Sequence, residues 1–369
     1  MDRTKVIDSD GHVVETEETF TKYLEAPYLE RRPRHIRDSW GKDRWLVEGK
    51  IAVPDPVDAG YLDDWDALTL VRPGGADPQL RLKDMDEEGI DVAVLYGTLS
   101  TALPLMTEDA KYSAALCRAY NNWLADYCQA DPQRLKGVAL VPYQDMEAAT
   151  RELRRAVKEL GFVGVHVPPI MFGKTLEQPE FYPLYAEAQE LDIPIGVHHG
   201  LLVARDISIA AYVKRVPMLQ ACAFPFDNMI ACGCLIYGGV MDRFPRLRVA
   251  LLEAGCSWVP YWMARLEQHT LFREVGYPLM INKKMVPEYM KGGRFYYNAE
   301  CEEVVLPTVL TEMGEDYFMY ASDYPHYGDI VEGLPFGVVT KWKQRKGIAE
   351  SARRKTLGEN AARFYRLDV

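Results

Sequence analysis

Eight short apolar runs recur along the chain, and a longer connecting segment follows each of them. Near-continuous apolar runs are typical of parallel strands that are buried on both faces. Eight such strands alternating with helices predict an α/β protein folded as a (β/α)8 barrel of the TIM type. An open doubly wound sheet is the alternative, but no glycine-rich phosphate loop follows the first run. The runs are 5–10, 91–97, 137–142, 162–167, 193–199, 247–253, 294–300 and 317–323.

Three of the intervening stretches have clear helical patterns. We predict helices over 107–130, 145–160 and 348–366, the last of them broken near Gly358. Asp145 precedes the second helix as a candidate N-cap, and a glycine follows its end. Strand-then-helix alternation therefore extends to the end of the chain.

Two connections, about 16–77 and 200–245, are too long for simple loops of a single barrel domain spanning 1–369. The second contains a helical stretch near 217–238. Long structured insertions on a barrel usually cover its active face, so we expect both to cap the C-terminal end of the strands. A contact between subunits is the alternative. Aromatic residues and prolines are frequent in the first insertion, including Trp40, Trp45, Pro54 and Trp65.

The overall charge disfavours a nucleic-acid partner. The chain has 43 Lys and Arg against 54 Asp and Glu, for a net charge of −11, whereas nucleic-acid binding requires a basic face. No apolar run is long enough to cross a bilayer, and the first residues lack the apolar segment of a signal peptide. The seven cysteines show no zinc-binding spacing, and we interpret them as reduced thiols of a cytoplasmic protein.

Histidines are concentrated at the ends of the predicted strands. Five of the seven lie at or just after the C-terminal end of an apolar run, where random placement would scatter them. In a barrel this end of the strands carries the catalytic residues. The five are His12, His166, His198, His199 and His326.

Carboxylates follow the same runs. A single charged group at the end of an apolar run is costly to bury, whereas one bound cation stabilises several together. We therefore predict a metal site in the mouth of the barrel. The carboxylates are Asp8 and Asp10 in the first run, Glu253 at the end of the sixth, Glu300 at the end of the seventh and Asp323 at the end of the eighth.

Asp10 and His12 form the centre of the predicted metal site. Residues i and i+2 of a strand point to the same side, so both side chains can reach one ion. His198 and Asp323 complete the predicted ligand set, with Glu253 as a further ligand. Imidazole and carboxylate ligands suit zinc, iron or manganese, and the lack of thiolate ligands disfavours a structural zinc site.

Each residue also has an ordinary alternative role. Asp323 precedes Tyr-Pro and can cap a turn. Glu253 can pair with an arginine such as Arg248, and His198 and His199 can form a hydrogen-bonded pair in the core. Their common position at strand ends favours the metal site.

Several motifs resemble the amidohydrolase superfamily, in the branch related to aminocarboxymuconate-semialdehyde decarboxylase. The motifs are IDSDGH, PIGVHHG, MDRFPRLRVALLEAGCSWVPYW, ASDYPH and GENAARFYRL, which together span most of the chain. The resemblance implies a distorted (β/α)8 barrel with a metal ion at its C-terminal mouth. It places the metal ligands at Asp10 and His12 on strand 1, His198 on strand 5 and Asp323 on strand 8.

Two departures from the family pattern bear on the reaction. Members of this branch often have a histidine on strand 6 that takes part in proton transfer, where this chain has Glu253. Strand 4 reads FVGVHVPP and lacks the lysine that commonly bridges two metals in dinuclear hydrolases. A second ion, or the substrate, would need other groups. The candidates are His166, His199, Glu300, Glu302 and His326.

The leading hypothesis is a metal-dependent hydrolase or carboxy-lyase, holding one or two divalent ions of zinc, iron or manganese. It would act on a small organic molecule, with Glu253, His199 and Asp323 as catalytic groups. The second hypothesis is a non-haem di-iron monooxygenase on the same barrel, because carboxylates and imidazoles exceed the needs of one ion. A non-enzymatic binding protein is the third.

Only the types of residue in the insertions and near them indicate the kind of substrate. Aromatic residues of the insertions, among them Phe224 and Phe226, suggest an apolar or aromatic substrate. Arg72 and Arg81 are candidates for binding its carboxylate. We expect a small-molecule substrate, neither nucleic acid nor membrane as partner, and a homodimer, because the run MIACGCLIYGG is apolar enough to need covering.

Overall fold

The computed structural model describes residues 5–39, 41, 43–52, 73–199, 216–271, 280–326 and 337–368. Eight parallel strands form one sheet in which each strand pairs with the next along the chain. The strands are β1 Ile7–Val13, β2 Val92–Gly97, β3 Leu135–Ala139, β4 Gly164–Val167, β5 Ile195–Val197, β6 Val249–Leu251, β7 Phe295–Ala299 and β8 Phe318–Tyr320.

The sheet closes between its first strand and the segment after its last. The Asp323 amide donates to the Asp10 carbonyl oxygen at 3.1 Å, and the His12 amide donates to the Tyr324 carbonyl oxygen at 2.6 Å. The predicted (β/α)8 barrel and all eight strand positions are confirmed.

Helices follow the strands, as the alternation predicted. The described α-helices are Glu17–Tyr23, Pro78–Glu88, Leu103–Met106, Ala110–Cys128, Met146–Lys158, Tyr182–Glu190, Val216–Tyr237, Val240–Arg243, Val259–Thr270, Val286–Met290, Leu306–Met313, Val338–Gln344, Glu350–Arg354 and Asn360–Tyr365. None of these is both long and apolar enough to cross a membrane. The Asp145 side chain accepts hydrogen bonds from the amides of Glu147 and Ala148, so the predicted N-cap is confirmed.

The predicted break in the last helix is a π-helical turn, Lys355–Glu359. A Cβ atom at Gly358 would collide with the Lys5 carbonyl oxygen. The turn therefore needs glycine because the chain passes so close to the start of β1. The helix predicted over 107–130 begins later, at Ala110, since Asp109 caps it.

The first insertion folds beside the C-terminal end of β2. It contains Glu17–Tyr23, a 3-10 turn at Ala26–Arg31, and a three-stranded antiparallel sheet. Trp45 packs edge-on against Phe20 at 5.8 Å in a hydrophobic cluster with Leu99 and Leu103, so its role is packing. Trp40, Pro54 and Trp65 lie outside the described residues. The sheet strands are Arg34–Arg37, Asp43–Val47 and Lys50–Ile51.

The described part of the second insertion is the helix Val216–Tyr237 with the short helix Val240–Arg243. Its side chains reach residues that follow β5 and β6, so it lies at the C-terminal end of the barrel as predicted.

Aromatic side chains fill the barrel beneath the mouth. The Tyr96 and Tyr365 hydroxyls lie 2.9 Å apart, and Tyr365 also donates to the Ser9 carbonyl oxygen. Both tyrosines belong to a buried cluster that includes Phe364 and Tyr296. This packing closes the barrel from below, so the polar residues above it face the mouth.

Candidate metal centre

Polar atoms from four strand ends meet in the mouth of the barrel. Asp10 Oδ1 lies 3.9 Å from His12 Nε2 and 3.5 Å from His198 Nε2. His198 Nε2 lies 3.5 Å from Glu253 Oε2, and His12 Nε2 lies 3.4 Å from Asp323 Oδ1. Ligand atoms bonded at about 2.0–2.2 Å to one ion are separated by similar distances. We call these five residues the donor cluster.

Four atoms of the donor cluster are buried without a hydrogen-bond partner among the described residues. They are Asp10 Oδ1, His12 Nε2, His198 Nε2 and Glu253 Oε2. A buried polar atom left unpaired costs roughly 1–3 kcal/mol, so four converging on one point indicate a ligand-binding site. Since all four have lone pairs to donate when the imidazoles are neutral, a cation fits the site.

Hydrogen bonds behind the donor cluster orient its rings. His12 Nδ1 lies 3.0 Å from the Gly97 carbonyl oxygen, and His198 Nδ1 lies 2.9 Å from the His199 carbonyl oxygen. A carbonyl oxygen only accepts, so each Nδ1 carries the proton and each Nε2 lone pair points into the mouth. Asn298 Nδ2 donates to Asp10 Oδ2 at 2.7 Å, which leaves Oδ1 for the ion.

The backbone is strained where two members of the donor cluster leave their strands. Glu253 has φ 54° and Asp323 has φ 55°, in the left-handed region that side chains other than glycine rarely adopt. Such strain costs about 1–3 kcal/mol and is typical of functional sites. Here both strained residues carry carboxylates of the donor cluster in the mouth of the barrel.

The electrostatics also favour a cation. Burial, together with the nearby Asp323 carboxylate, raises the pKa values of Asp10 and Glu253 well above their usual range. Burial, with neighbouring histidines, lowers the pKa values of His12 and His198 well below theirs. Carboxylates crowded in a dry site repel one another, and a bound cation removes that repulsion.

His326 supports Asp323 from outside the donor cluster. Its Nδ1 lies 2.7 Å from Asp323 Oδ1, and its Nε2 lies 2.9 Å from the Thr98 hydroxyl. The His326 ring also packs against the His12 ring, with centroids 4.1 Å apart and the two planes tilted by 31°. Donor atoms of His12, Asp323 and His326 are close enough to form a second metal-binding group, which shares His12 and Asp323 with the donor cluster.

Two other candidates for a second ion, His166 and Glu302, are engaged with other partners. Both His166 nitrogens already face partners, the Tyr143 hydroxyl at 2.6 Å and the His198 carbonyl oxygen at 3.2 Å. Glu302 pairs with Lys341 at 3.3 Å. The structure therefore does not place His166 or Glu302 as ligands, because their polar atoms are engaged elsewhere.

Glu300 and His199 adjoin the donor cluster without joining it. Desolvation by the surrounding protein, with Glu303 and Asp323, raises the pKa of Glu300 to about 7, although its side chain remains open to solvent. His199 Nε2 lies 2.8 Å from Asp227 Oδ2, and His199 belongs to neither group of potential metal ligands found among the described residues.

Arg81, predicted as a candidate for binding substrate, instead lies behind the first strand. Its Nη1 donates to the His12 carbonyl oxygen at 2.8 Å, and its guanidinium stacks on the Tyr324 ring at 4.2 Å. Its Nη2 is 3.6 Å from Asp8 Oδ2. Since Arg81 is almost fully buried, it holds β1 in place. Arg72 lies outside the described residues.

Two phenylalanines were predicted to contact an apolar substrate. Phe224 is buried with its ring 5.0 Å from the His199 ring, whereas Phe226 is exposed. Arg248 pairs with Asp192 rather than with Glu253, which removes the ordinary alternative for Glu253.

Three supporting residues were missed by sequence reasoning, namely Thr98, Asp227 and Asn298. Asn298 and Asp227 carried a detectable signal, since each is a polar residue inside an apolar segment, FYYNAE and AFPFDNMIACG. Thr98 carried none, because threonine is ordinary after a strand.

Known proteins resemble the chain over nearly its full length. The family model described as Amidohydrolase matches residues 7–367. Gamma-resorcylate decarboxylase of Rhodococcus jostii is 26% identical, over 87% of this chain and 98% of its own. The 2-amino-3-carboxymuconate-6-semialdehyde decarboxylase of Dictyostelium discoideum is 28% identical, over 79% and 77% respectively.

A solved structure shares the fold at similar identity. The 5-carboxyvanillate decarboxylase of Novosphingobium aromaticivorans, complexed with manganese and 4-hydroxy-3-methoxy-5-nitrobenzoic acid, superposes with a TM-score of 0.71. It is 25% identical, and the match covers 98% of this chain and 96% of that chain.

Proposed function

The chain belongs to the amidohydrolase family, as its motifs predicted, and is an enzyme; we propose that it is a metal-dependent carboxy-lyase acting on a small aromatic carboxylate. The observation that carries the proposal is the convergence of Asp10, His12, His198 and Glu253 through buried, unpartnered atoms. Decarboxylases among its relatives, one of them with bound manganese and a nitrobenzoic acid, support this choice between hydrolysis and decarboxylation.

Decarboxylation of an aromatic acid exchanges a carboxylate for a proton. A proton adds to the ring carbon that bears the carboxylate, the bond between that carbon and the carboxylate breaks, and CO2 leaves while the electron pair stays on the ring. A divalent cation held by Asp10, His12, His198 and Asp323 would supply positive charge that binds and orients the anionic substrate.

We assign the proton donor to Glu253, the carboxyl group that follows β6 and borders His198 at 3.5 Å. Its place in the mouth puts it beside any substrate that reaches the cation, as general acid catalysis requires. Replacing Glu253 by glutamine tests the role. Retained metal with lost turnover indicates a proton donor, whereas lost metal indicates a ligand.

The test is metal analysis followed by anaerobic assay with 2,6-dihydroxybenzoate and related hydroxybenzoates. We expect one divalent metal ion per chain, CO2 release, loss of activity with chelator and recovery with Mn²⁺. Full activity of the metal-free protein, or absence of CO2 release from the whole panel, would overturn the proposal.

A di-iron oxygenase is the second candidate function. It is favoured by the carboxylate at Glu253 and by the second group of donors formed by His12, Asp323 and His326. Carboxylate-rich sites suit iron. Two irons per chain and turnover that requires oxygen would select this candidate over the carboxy-lyase.

A further inference from the structure

Asp227 and His199 form a buried pair next to the donor cluster. His199 Nε2 lies 2.8 Å from Asp227 Oδ2, and both residues are buried, the histidine with 3% of its surface exposed and the aspartate with none. His199 directly follows His198, whereas Asp227 comes from the helix Val216–Tyr237 of the second insertion. The pair therefore joins the insertion to the active end of the barrel.

Burying the Asp227 carboxylate in this helix costs free energy, which its pairing with His199 offsets. The segment around it, AFPFDNMIACG, is otherwise almost entirely apolar, and a buried charge needs a partner to offset desolvation. The next residue, Asn228, donates to the Leu252 carbonyl oxygen at 2.8 Å, just before Glu253. Two consecutive polar residues thus hold the segments that follow β5 and β6.

The hydrogen bond to Asp227 determines which nitrogen of His199 remains available. An ionised carboxylate only accepts, so Nε2 carries the proton, and in the neutral ring Nδ1 keeps its lone pair. His199 Nδ1 is buried and has no hydrogen-bond partner among the described residues. The Phe224 ring, 5.0 Å away, provides an apolar neighbour.

We infer that Asp227 is a positioning residue that holds His199 with Nδ1 free to accept a hydrogen bond from a hydroxyl group of the substrate. The inference rests on the proposed function and narrows it to hydroxylated aromatic carboxylates. An apolar wall beside one directed polar group is typical of a small-molecule site.

The first experiment reads the His199 ring without using activity. Nitrogen NMR of the zinc-loaded protein, labelled at histidine and assigned by His199→Gln, should show the Nε2–H tautomer. Asp227→Asn should shift the ring to the other tautomer, because an amide can donate to Nε2. A wild-type ring protonated on Nδ1 would overturn the inference.

The second experiment is a double-mutant cycle on kcat/KM with a hydroxylated benzoate. We expect Asp227→Asn to lower kcat/KM about 10- to 100-fold with metal content unchanged, as for other residues that orient site groups. In a His199→Phe background the same substitution should change nothing further. Equal losses in both backgrounds would overturn the inference, since Asp227 would then act independently of His199.

The matched control is Glu152→Gln, in the helix Met146–Lys158. Glu152 is another buried carboxylate, which accepts from Asn121 and Arg155, and we expect its kcat/KM to stay at the wild-type value. The two proposals fail separately. A wild type without decarboxylase activity refutes the proposed function while the NMR result stands, whereas an active wild type with additive losses refutes only the inference.

Discussion

The two ends of the barrel treat their buried polar groups in opposite ways. At the N-terminal end, Arg248 donates to Asp192 Oδ1 at 2.6 Å and to the Phe364 carbonyl oxygen at 2.9 Å. The buried Tyr296 hydroxyl likewise accepts from Arg363, an exposed residue that also donates to the Asp316 carbonyl oxygen. At the C-terminal mouth, four buried donor atoms face one another without partners among the described residues.

The polar groups at the N-terminal end contribute to stability, whereas those at the C-terminal mouth contribute to function. Groups at the N-terminal end are satisfied by the chain itself, so they stabilise the fold without any ligand. Groups at the mouth are satisfied only when something else binds, and the chain bears the cost until then. Substitutions at the N-terminal end should therefore change the free energy of unfolding, whereas substitutions at the mouth should change metal binding and kcat/KM.

The largest effect is expected from removing a donor at the mouth. His198→Ala should abolish stoichiometric metal binding and lower kcat/KM more than about 100-fold, beyond the loss typical of residues that only orient ligands. Elemental analysis and steady-state kinetics measure both. His269→Ala, outside the donor cluster in the helix Val259–Thr270, is the control and should keep its metal. A His198→Ala protein with full metal content would remove His198 from the ligand set.

Asn298→Ala should have the next largest effect, because it removes the amide that holds Asp10 Oδ2. We expect metal affinity to fall about 10- to 100-fold, measured by competition with a chromogenic chelator. Asn122→Ala is the control, since its side chain accepts from Arg155 on the outer helices. Unchanged metal affinity in Asn298→Ala would mean that Asp10 needs no support from β7.

Arg248→Ala tests the N-terminal end of the barrel. It removes charge-assisted hydrogen bonds to Asp192 and Phe364, and we expect the free energy of unfolding to fall by about 2 kcal/mol, with metal content unchanged. Urea denaturation measures this. Arg246→Ala, whose exposed side chain lies 3.8 Å from Glu190, should change stability by less than about 0.5 kcal/mol. Loss of metal from Arg248→Ala would break the contrast between the two ends.

Thr98→Val should have the smallest effect at the mouth. It keeps the shape of the side chain but removes the hydroxyl, which faces His326 Nε2 at 2.9 Å and donates to the Val13 carbonyl oxygen at 2.8 Å. Of the two hydrogen bonds lost, the one to His326 supports the mouth, and its loss of about 1 kcal/mol corresponds to roughly a fivefold lower kcat/KM. Thr150→Val, at a half-buried position of Met146–Lys158 where the hydroxyl donates to the Glu147 carbonyl oxygen, controls for the substitution itself. An unchanged kcat/KM would show that His326 does not act through Thr98.

Much of the donor cluster was predictable because strand ends carry information. Asp10 and His12 are two residues apart, so alternation along a strand predicts that they share one side, and His198, Glu253 and Asp323 lie at the ends of runs that were recognised as strands. The strands β5, β6 and β8 are shorter than the predicted runs. His198, Glu253 and Asp323 therefore lie beyond the region where alternation predicts direction.

The amino-acid sequence by itself determined the barrel, the family and the end of the barrel that bears the chemistry, because periodicity and strand ends are local properties of the chain. The tertiary structure decided which polar groups pair and which remain unpaired. Asn298 supports Asp10 from 288 residues away, and Asp227 reaches His199 from an apolar helix. Such pairings depend on distances between side chains that only the closed barrel brings together.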